Sequence, residues 1–519
     1  MSDQTFQTIA IVLYFAGMLT IGWFAYRRTK DNLDDYMLAG RGLRPGVAAL
    51  SAGASDMSGW LLMGLPGAIY ISGLVEAWIA IGLTIGAWLN WKFVAPRLRA
   101  YTEVAGNSIT IPSFLEHRLR DRSRALRIVC GIIILVFFTF YVSSGMVAAG
   151  KFFESSFGIN YLWGMLIVAV ITMIYTLFGG FLGATLTDVA QGILMLAALI
   201  AVPIVAVINA GGPAATVSAI NEVDPNLLSL VSGGTVLGII SAAAWGLGYF
   251  GQPHIIVRFM ALRTPQEAKA GRRIGIGWMV LTVLGSIATA LIGIAYYHNN
   301  GGSPTDAKSG ETVFLDLAQI LFHPFIAGLV LAAVLAAIMS TISSQLVVTS
   351  SALVEDLFKI IAEKTGGVAR LKDKTYVTLG RLGVLVVAII AVLLAINPSQ
   401  SILDLVGFAW AGFGASFGPI ILLSLFWKKL SNWGALAGLI TGAVVAYVWG
   451  QFGADIFGAE SWVAQTYEII PGFVANLVVA IVVSLFTFRR NGDIEEEFTR
   501  TAEISLPNYR APEVDAAER

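Results

Sequence analysis

Apolar runs of about 20 residues, the length that crosses a bilayer as a helix, follow one another along almost the whole chain. Thirteen can be told apart, near 6–26, 45–71, 74–96, 125–150, 160–183, 187–209, 233–253, 274–297, 321–357, 376–396, 402–427, 432–451 and 468–488. The ninth is too long for one straight helix, and Pro324 sets a short segment apart from the span proper. Lipid offers no water to backbone amides and carbonyls, so these runs are predicted to be helical. The expected fold class is an all-α integral membrane protein of about 13 transmembrane helices. Composition agrees: only 13% of residues are charged and mean hydropathy is +0.76, where soluble domains carry roughly 25% charged residues.

Lys and Arg fall in every second connection. Of the 33, 29 lie in 27–44, 97–127, 258–273, 359–374, 428–429 and the tail from Arg489, whereas the alternate connections hold only Lys151 and Lys308. Cationic loops stay on the cytoplasmic side, so the amino terminus is expected outside and the carboxyl terminus in the cytoplasm. An error of one helix would have scrambled this alternation. The poor side carries Glu222, Asp224, Asp306, Glu311, Asp316, Asp455 and Glu460, which read as a solvated acidic rim. Beyond Asn491 the tail shows no periodic apolar face and too little mass for a domain.

Several function classes drop out. A net charge of zero with no basic domain gives no nucleic-acid partner. The single Cys130 excludes an internal disulfide and a thiolate metal cage, and His117, His254, His298 and His323 lack ligand spacing. No P-loop, and no GxGxxG ahead of a helix outside the membrane core, is present, so neither an enzyme nor an organic cofactor is expected. The first apolar run ends in no small-residue cleavage site, so no cleaved leader is expected.

Within this apolar frame one carboxylate stands out. Asp56 lies inside the run 45–71, in Ser51-Ala-Gly-Ala-Ser-Asp56-Met-Ser58-Gly59-Trp60. A charge at bilayer depth costs about 2.5 to 3.5 kcal/mol, so it faces a cavity, a partner or an ion. Gly53, Ser55, Ser58, Gly59 and Gly64 weaken the helix around it. The seventh run is interrupted in the same way, with three glycines and a proline in Gly246-Leu-Gly248-Tyr249-Phe-Gly251-Gln-Pro253. Two interrupted helices five spans apart predict two five-helix repeats with a binding site between them; close helix packing is the other use of such glycines.

On a 3.6-residue helix Ala337, Ser340, Thr341 and Ser344 share one face of the ninth run. Their hydroxyls can ligate an alkali cation, or bond back to the preceding turn and make a packing seam. Trp245 and Tyr249, four apart, share a face if helical and could wall a small apolar ring; core packing is the alternative. Asp188, after Thr187, reads most simply as a helix N-cap, and Arg41 as a basic anchor.

At these residues the chain resembles the sodium/solute symporter family, and within it the bacterial members that carry proline. The match is dense in Ser51–Ala68, Trp245–His254, Met339–Ser343 and Ala409–Gly414, and spans all thirteen runs. The family's short signature is similar to Tyr175-Thr-Leu-Phe-Gly179-Gly180-Phe181, with Gly183 where Ala, Ser or Pro is usual. The resemblance implies a LeuT-type fold of two inverted five-helix repeats, here 45–209 and 233–427, preceded by one helix and a cytoplasmic loop (1–44) and followed by two helices (432–488) and a tail (489–519). It further implies a sodium site of the Ala54, Met57 and Ala337 carbonyls with the Ser340 and Thr341 hydroxyls. Asp56, Ser58 and Gly59 would couple sodium to substrate, Arg41 would lie at the cytoplasmic approach, and Trp245, Tyr249 and Pro253 would line the substrate pocket. The implied function is sodium-coupled uptake of L-proline, with sodium and proline as the partners besides the lipid bilayer and no obligate protein partner. A sodium- or proton-coupled carrier of another small organic solute, an ion channel and a membrane enzyme are the alternatives.

Overall fold

A computed structural model describes residues 2–28, 38–358, 360, 373–398 and 400–509. Lys30, Lys359, Lys364, Arg370 and Lys372 of the predicted basic loops, and the tail from 510 onward, lie outside the described residues. Among the described residues there is no β-strand, only an isolated bridge between Leu43 and Leu262.

The chain starts with α1 (Asp3–Arg28). Helix α2 (Pro45–Asp56) stops midway, and after a short irregular stretch and a π-wound turn the span resumes as α3 (Leu65–Ser72). Next come α4 (Ala77–Leu89), α5 (Ala95–Val104), α6 (Ile111–Leu119) and the long α7 (Ala125–Phe157). The fifth and sixth runs form α8 (Tyr161–Asn209); its break falls at Gly180 (φ 56°, ψ −152°), not between 183 and 187 as the runs predict. That backbone conformation is open essentially to glycine alone. A surface helix, α9 (Pro213–Val223), leads to α10 (Val236–Ala243), a 3₁₀ segment Ala244–Gly251, the extended Gln252 and α11 (Pro253–Met260). The chain continues through α12 (Ala268–Asn300), α13 (Val313–Leu321), α14 (Pro324–Ser351), α15 (Asp373–Leu394), α16 (Ile402–Phe426), α17 (Asn432–Phe457), α18 (Ile469–Thr487) and α19 (Gly492–Ile504). Among the described residues, nine helical stretches are long and apolar enough to cross a membrane, accompanied by four shorter apolar ones: Trp60–Ser72, Tyr161–Leu177, Val236–Gly251 and Thr378–Leu394.

Helix α14 is the hub. It is buried on all sides, as a helix apolar all round must be, and it packs on α1, α7, α8 and α2. Small residues set the closest approaches. A Cβ at Gly22 would lie 2.7 Å from Tyr175 Cβ, and one at Gly328 would lie 2.7 Å from Ala10 Cβ, the small-residue contact that membrane helices use. Pro419 sits inside α16 and cannot donate to the Ala415 carbonyl four residues back. Asn476 of α18 supplies the missing donor, its Nδ2 lying 2.7 Å from the carbonyls of both Ala415 and Ser416.

Two expectations change. The tail residues Gly492–Ile504 are helical, and Phe498 is buried against Tyr101 and beneath the Arg118 guanidinium. The helix's large apolar residues, Ile494, Phe498 and Ile504, are sparse among acidic ones, and of these only Phe498 is buried. In the acidic rim, Glu311 and Asp316 are buried: Glu311 pairs with Lys151 and accepts from the Ile402 amide, while Asp316 accepts from Thr305 and Thr312.

Replacing Asn476 with Leu leaves the Ala415 carbonyl unsatisfied in the apolar interior, which should lower stability by about 1 to 3 kcal/mol. A thermal-unfolding midpoint in detergent equal to that of the native protein would contradict this role.

Candidate functional site

The site begins where α2 loses its winding. Met57 (φ −82°, ψ 78°) still donates to the Gly53 carbonyl, but the Ser58 amide turns to the Asp56 carbonyl, 3.0 Å away. In a continuous helix that amide would bond Ala54, so the Ala54 carbonyl is released. Ser340 of α14 takes it, with Oγ 2.7 Å from Ala54 O. The same hydroxyl lies 3.1 Å from the Ala337 carbonyl, and Thr341 Oγ1 lies 3.2 Å from it. Four of the five oxygens implied by the resemblance are thus drawn together across two helices, and Met57 is fully buried at the same break. The back-bonding reading of the hydroxyl face holds, since Ser340 and Thr341 bond within α14, and Ser340 also bridges to α2. A hydroxyl that donates can rotate to offer a lone pair instead. Neutral, buried oxygens of this kind suit a hard monovalent cation. Among the described residues no cluster of His, Cys, Asp or Glu could hold a transition metal.

Asp56 is buried. Its Oδ2 accepts from the Tyr249 hydroxyl, its carbonyl accepts from Trp60 Nε1 at 3.1 Å, and its Oδ1 has no partner among the described residues. Ser58, also buried, accepts from the Trp60 amide at 3.4 Å. Gly59 has no room for a side chain, because a Cβ would lie 2.9 Å from that of Ala148.

Trp245 and Tyr249 come together by another route than a shared helical face. The segment is 3₁₀ wound, with three residues per turn, so residues four apart diverge. Trp410 of α16 joins them: its ring stacks on Trp245 (6.4 Å between centroids, 26°) and meets Tyr249 edge-on (5.2 Å, 83°). Trp410 Nε1 also donates to the Trp245 carbonyl at 2.8 Å. Trp245 further stacks on Tyr467 (5.3 Å) and faces an open vestibule of 440 Å³ at the Lys/Arg-poor end, where Glu76, Asp404 and Glu468 also line the wall. Pro253 starts α11 on the far side of the break and lines a separate narrow space with Ile134, Val257 and Val347. Arg41 stands apart from the site. It donates to Asn107 Oδ1 (3.2 Å), Thr102 Oγ1 (3.1 Å), Met260 O (3.0 Å) and Ser108 O (2.7 Å), tying the end of α11 to the α5–α6 connection.

Asp188 is no N-cap. It lies in the interior of α8, fully buried, accepting from Ser51 Oγ (2.7 Å), Ser344 Oγ (3.3 Å) and Arg258 Nη2 (3.1 Å). Arg258, counted above with a basic loop, is a buried member of α11. Sequence reasoning missed this pair because each partner sits near a span end, where a solvated charge is the ordinary expectation. It also passed over Trp410, whose placement among Ala and Gly in Ala409–Gly414 was the available signal.

A sequence profile of the sodium:solute symporter family matches residues 36–442. The chain is similar to the high-affinity proline transporter PutP of Bacillus subtilis (strain 168), 56% identical over 481 residues that make up 93% of this chain and 98% of that one. It is similar to sodium/proline symporter 2 of Staphylococcus saprophyticus, 49% identical over 503 residues, 97% of each chain. Among solved structures, a Na⁺-coupled sialic acid symporter in a substrate-bound outward-open state superposes with a TM-score of 0.78 at 20% identity, covering 94% of this chain and 98% of that one. The likeness establishes the fold: an all-α, LeuT-type arrangement with broken helices.

Removing both hydroxyls, Ser340→Ala with Thr341→Ala, should raise the sodium concentration needed for half-maximal thermal stabilisation of the purified protein by at least about tenfold. An unchanged sodium titration would detach these oxygens from cation binding.

Proposed function

The chain belongs to the sodium:solute symporter family, and on that footing we propose that it is a secondary active transporter that carries L-proline into a bacterial cell together with sodium. It works in the cytoplasmic membrane, amino terminus outside and Lys/Arg-rich end inside, by alternating access. Residues 45–209 and 233–427 act as two repeats that rock about the broken helices, with 1–44 before them and 432–488 and a tail after them. The observation that carries this reading is the Ser340 hydroxyl reaching the carbonyl that Ala54 releases.

Sodium held by Ala54, Met57, Ala337, Ser340 and Thr341 bridges α2 and α14 in the arrangement that binds substrate, and linkage makes proline raise sodium affinity by the same factor. Proline is a zwitterion with an apolar ring. Freed amides at the breaks meet its carboxylate, and freed carbonyls accept from its secondary ammonium. Trp245 and Tyr249, with Trp410 between them, wall the ring, while Pro253, which lines a separate space, sets the far side of the break. Asp56 and Ser58 tie the two sites through the stretch that leaves the helix, and Gly59 keeps that stretch close to α7. Arg41 governs the cytoplasmic approach through its hold on the end of α11. The similarity to named proline transporters and sodium/proline symporters supports the choice of solute and ion.

Coupling to protons through Asp56 is the second reading, favoured by the buried Oδ1 without a partner. Counterflow of labelled proline in proteoliposomes separates the two. Exchange that needs sodium at neutral pH supports the proposal; exchange that persists without sodium in an acid gradient supports the alternative, and failure of proline to exchange at all refutes the solute.

Asp56→Asn, isosteric and uncharged, should cut sodium-driven uptake by about tenfold or more while the protein still elutes as a single species; native uptake and native sodium affinity would remove Asp56 from coupling. Trp245→Ala should raise the proline KM while leaving the sodium titration nearly unchanged. A shift confined to sodium would place Trp245 in the wrong role.

A further inference from the structure

At the Lys/Arg-rich end, remote from the broken helices, the ends of α6, α16, α17 and α18 and the start of α19 enclose a cavity of 680 Å³. Five cations line it: Arg120, Arg122, Lys428, Arg489 and Arg490, against one carboxylate, Glu495. Two of the five are compensated. Arg120 pairs with Glu497 at 2.8 Å and Arg490 with Glu495 at 3.0 Å. Arg122, Lys428 and Arg489 have no carboxylate partner among the described residues, and all three side chains are exposed.

The same cavity opens between two aromatic side chains on membrane-spanning helices. Phe486, in the last turn of α18, is 86% exposed, and Trp433, in the first turn of α17, is 59% exposed. Along α18 the exposed residues Val474, Val478, Val482 and Leu485 continue from Phe486 toward the membrane interior as an apolar stripe. A free anion would use the cations and have no need of the rings. A molecule with a negative headgroup and hydrocarbon tails needs both, in this order from the membrane surface inward.

We propose that this cavity is a binding site for an anionic phospholipid, whose phosphate is held by Arg122, Lys428 and Arg489 while an acyl chain runs past Phe486 and Trp433 along α18. The site joins α17 and α18 to the α6 and α19 ends, so an occupied cavity holds these peripheral elements against α16. The inference does not depend on which solute the chain carries.

Native mass spectrometry of the full chain, purified in detergent and stripped of lipid, tests it by titration with phosphatidylglycerol, phosphatidylcholine and inorganic phosphate separately. One tightly held phosphatidylglycerol is expected, with phosphatidylcholine much weaker and millimolar phosphate unable to displace it. Each cation removed should weaken phosphatidylglycerol about fivefold, so the triple variant Arg122→Gln, Lys428→Gln, Arg489→Gln should lose roughly a hundredfold. Phe486→Ser should weaken the lipid and leave phosphate binding unaltered. Lys269→Gln with Arg273→Gln, cations at the same end outside the cavity, should change nothing. Should the triple variant fail to run as a single species, the exposed single variant Arg489→Gln carries the same expectation of a fivefold loss. Native-like lipid binding by these variants overturns the proposal, as does equal affinity for phosphatidylcholine, or displacement by inorganic phosphate at the lipid's own concentration, which would make it a soluble-anion site.

Discussion

A backbone carbonyl that leaves a helix in the middle of an apolar slab has to find a donor or a cation, because the slab has no water to give it. That constraint organises this molecule. When α2 ends at Asp56, the Ala54 carbonyl passes to Ser340, and α2 and α14 are thereby joined through one hydroxyl. The second break is treated alike: Trp410 donates to the Trp245 carbonyl and Asn90 to that of Tyr249, at 2.8 Å each. Pro419 makes a third gap in the ladder and Asn476 fills it. Of these three contacts, the one at Ser340 has a rotatable hydroxyl as its donor, beside the further neutral oxygens of Ala337 and Thr341.

Close packing makes these exchanges possible. The 3₁₀ segment presses its backbone onto α4, where a Cβ at Gly82 or Gly86 would overlap the carbonyls of Ala243 and Gly246. Trp410 crosses the face of Gly248, and the Phe413 carbonyl reaches Gly251. With side chains at those glycines the segment would be held off from the residues that satisfy its carbonyls. A regular helix would then be the cheaper state.

Buried charges tie the same elements together. Arg258 and Asp188 share Ser51 and Ser344, linking α11, α8, α2 and α14 in one knot. Arg127 gathers Glu116, Glu355 and Asp356 at 2.8 to 2.9 Å and binds α6 and α7 to the π-wound segment Ala352–Phe358 that follows α14. Removing one partner from such a group strands the other in a low dielectric and costs about 3 to 5 kcal/mol. These knots tie the elements of the basic end together, and Arg41 adds four bonds donated to neutral oxygens there.

The sequence alone determined the membrane class, the helical fold and the two interrupted spans, because hydrocarbon thickness, the alternation of Lys and Arg and the glycine-rich breaks are all written along one strand of residues. Asp56 was legible for the same reason: a lone carboxylate in an apolar run has few physical explanations. Which residues meet across helices was decided only by tertiary structure. Trp410 reaches Trp245 from 165 positions away, Arg258 reaches Asp188 from 70, and Phe498 finds its niche beneath Arg118 from a tail with no periodic signal. Periodicity reports the face a residue occupies on its own helix; the partner on that face is set by how glycines let neighbouring backbones approach, a property of pairs of segments that no single stretch of sequence contains.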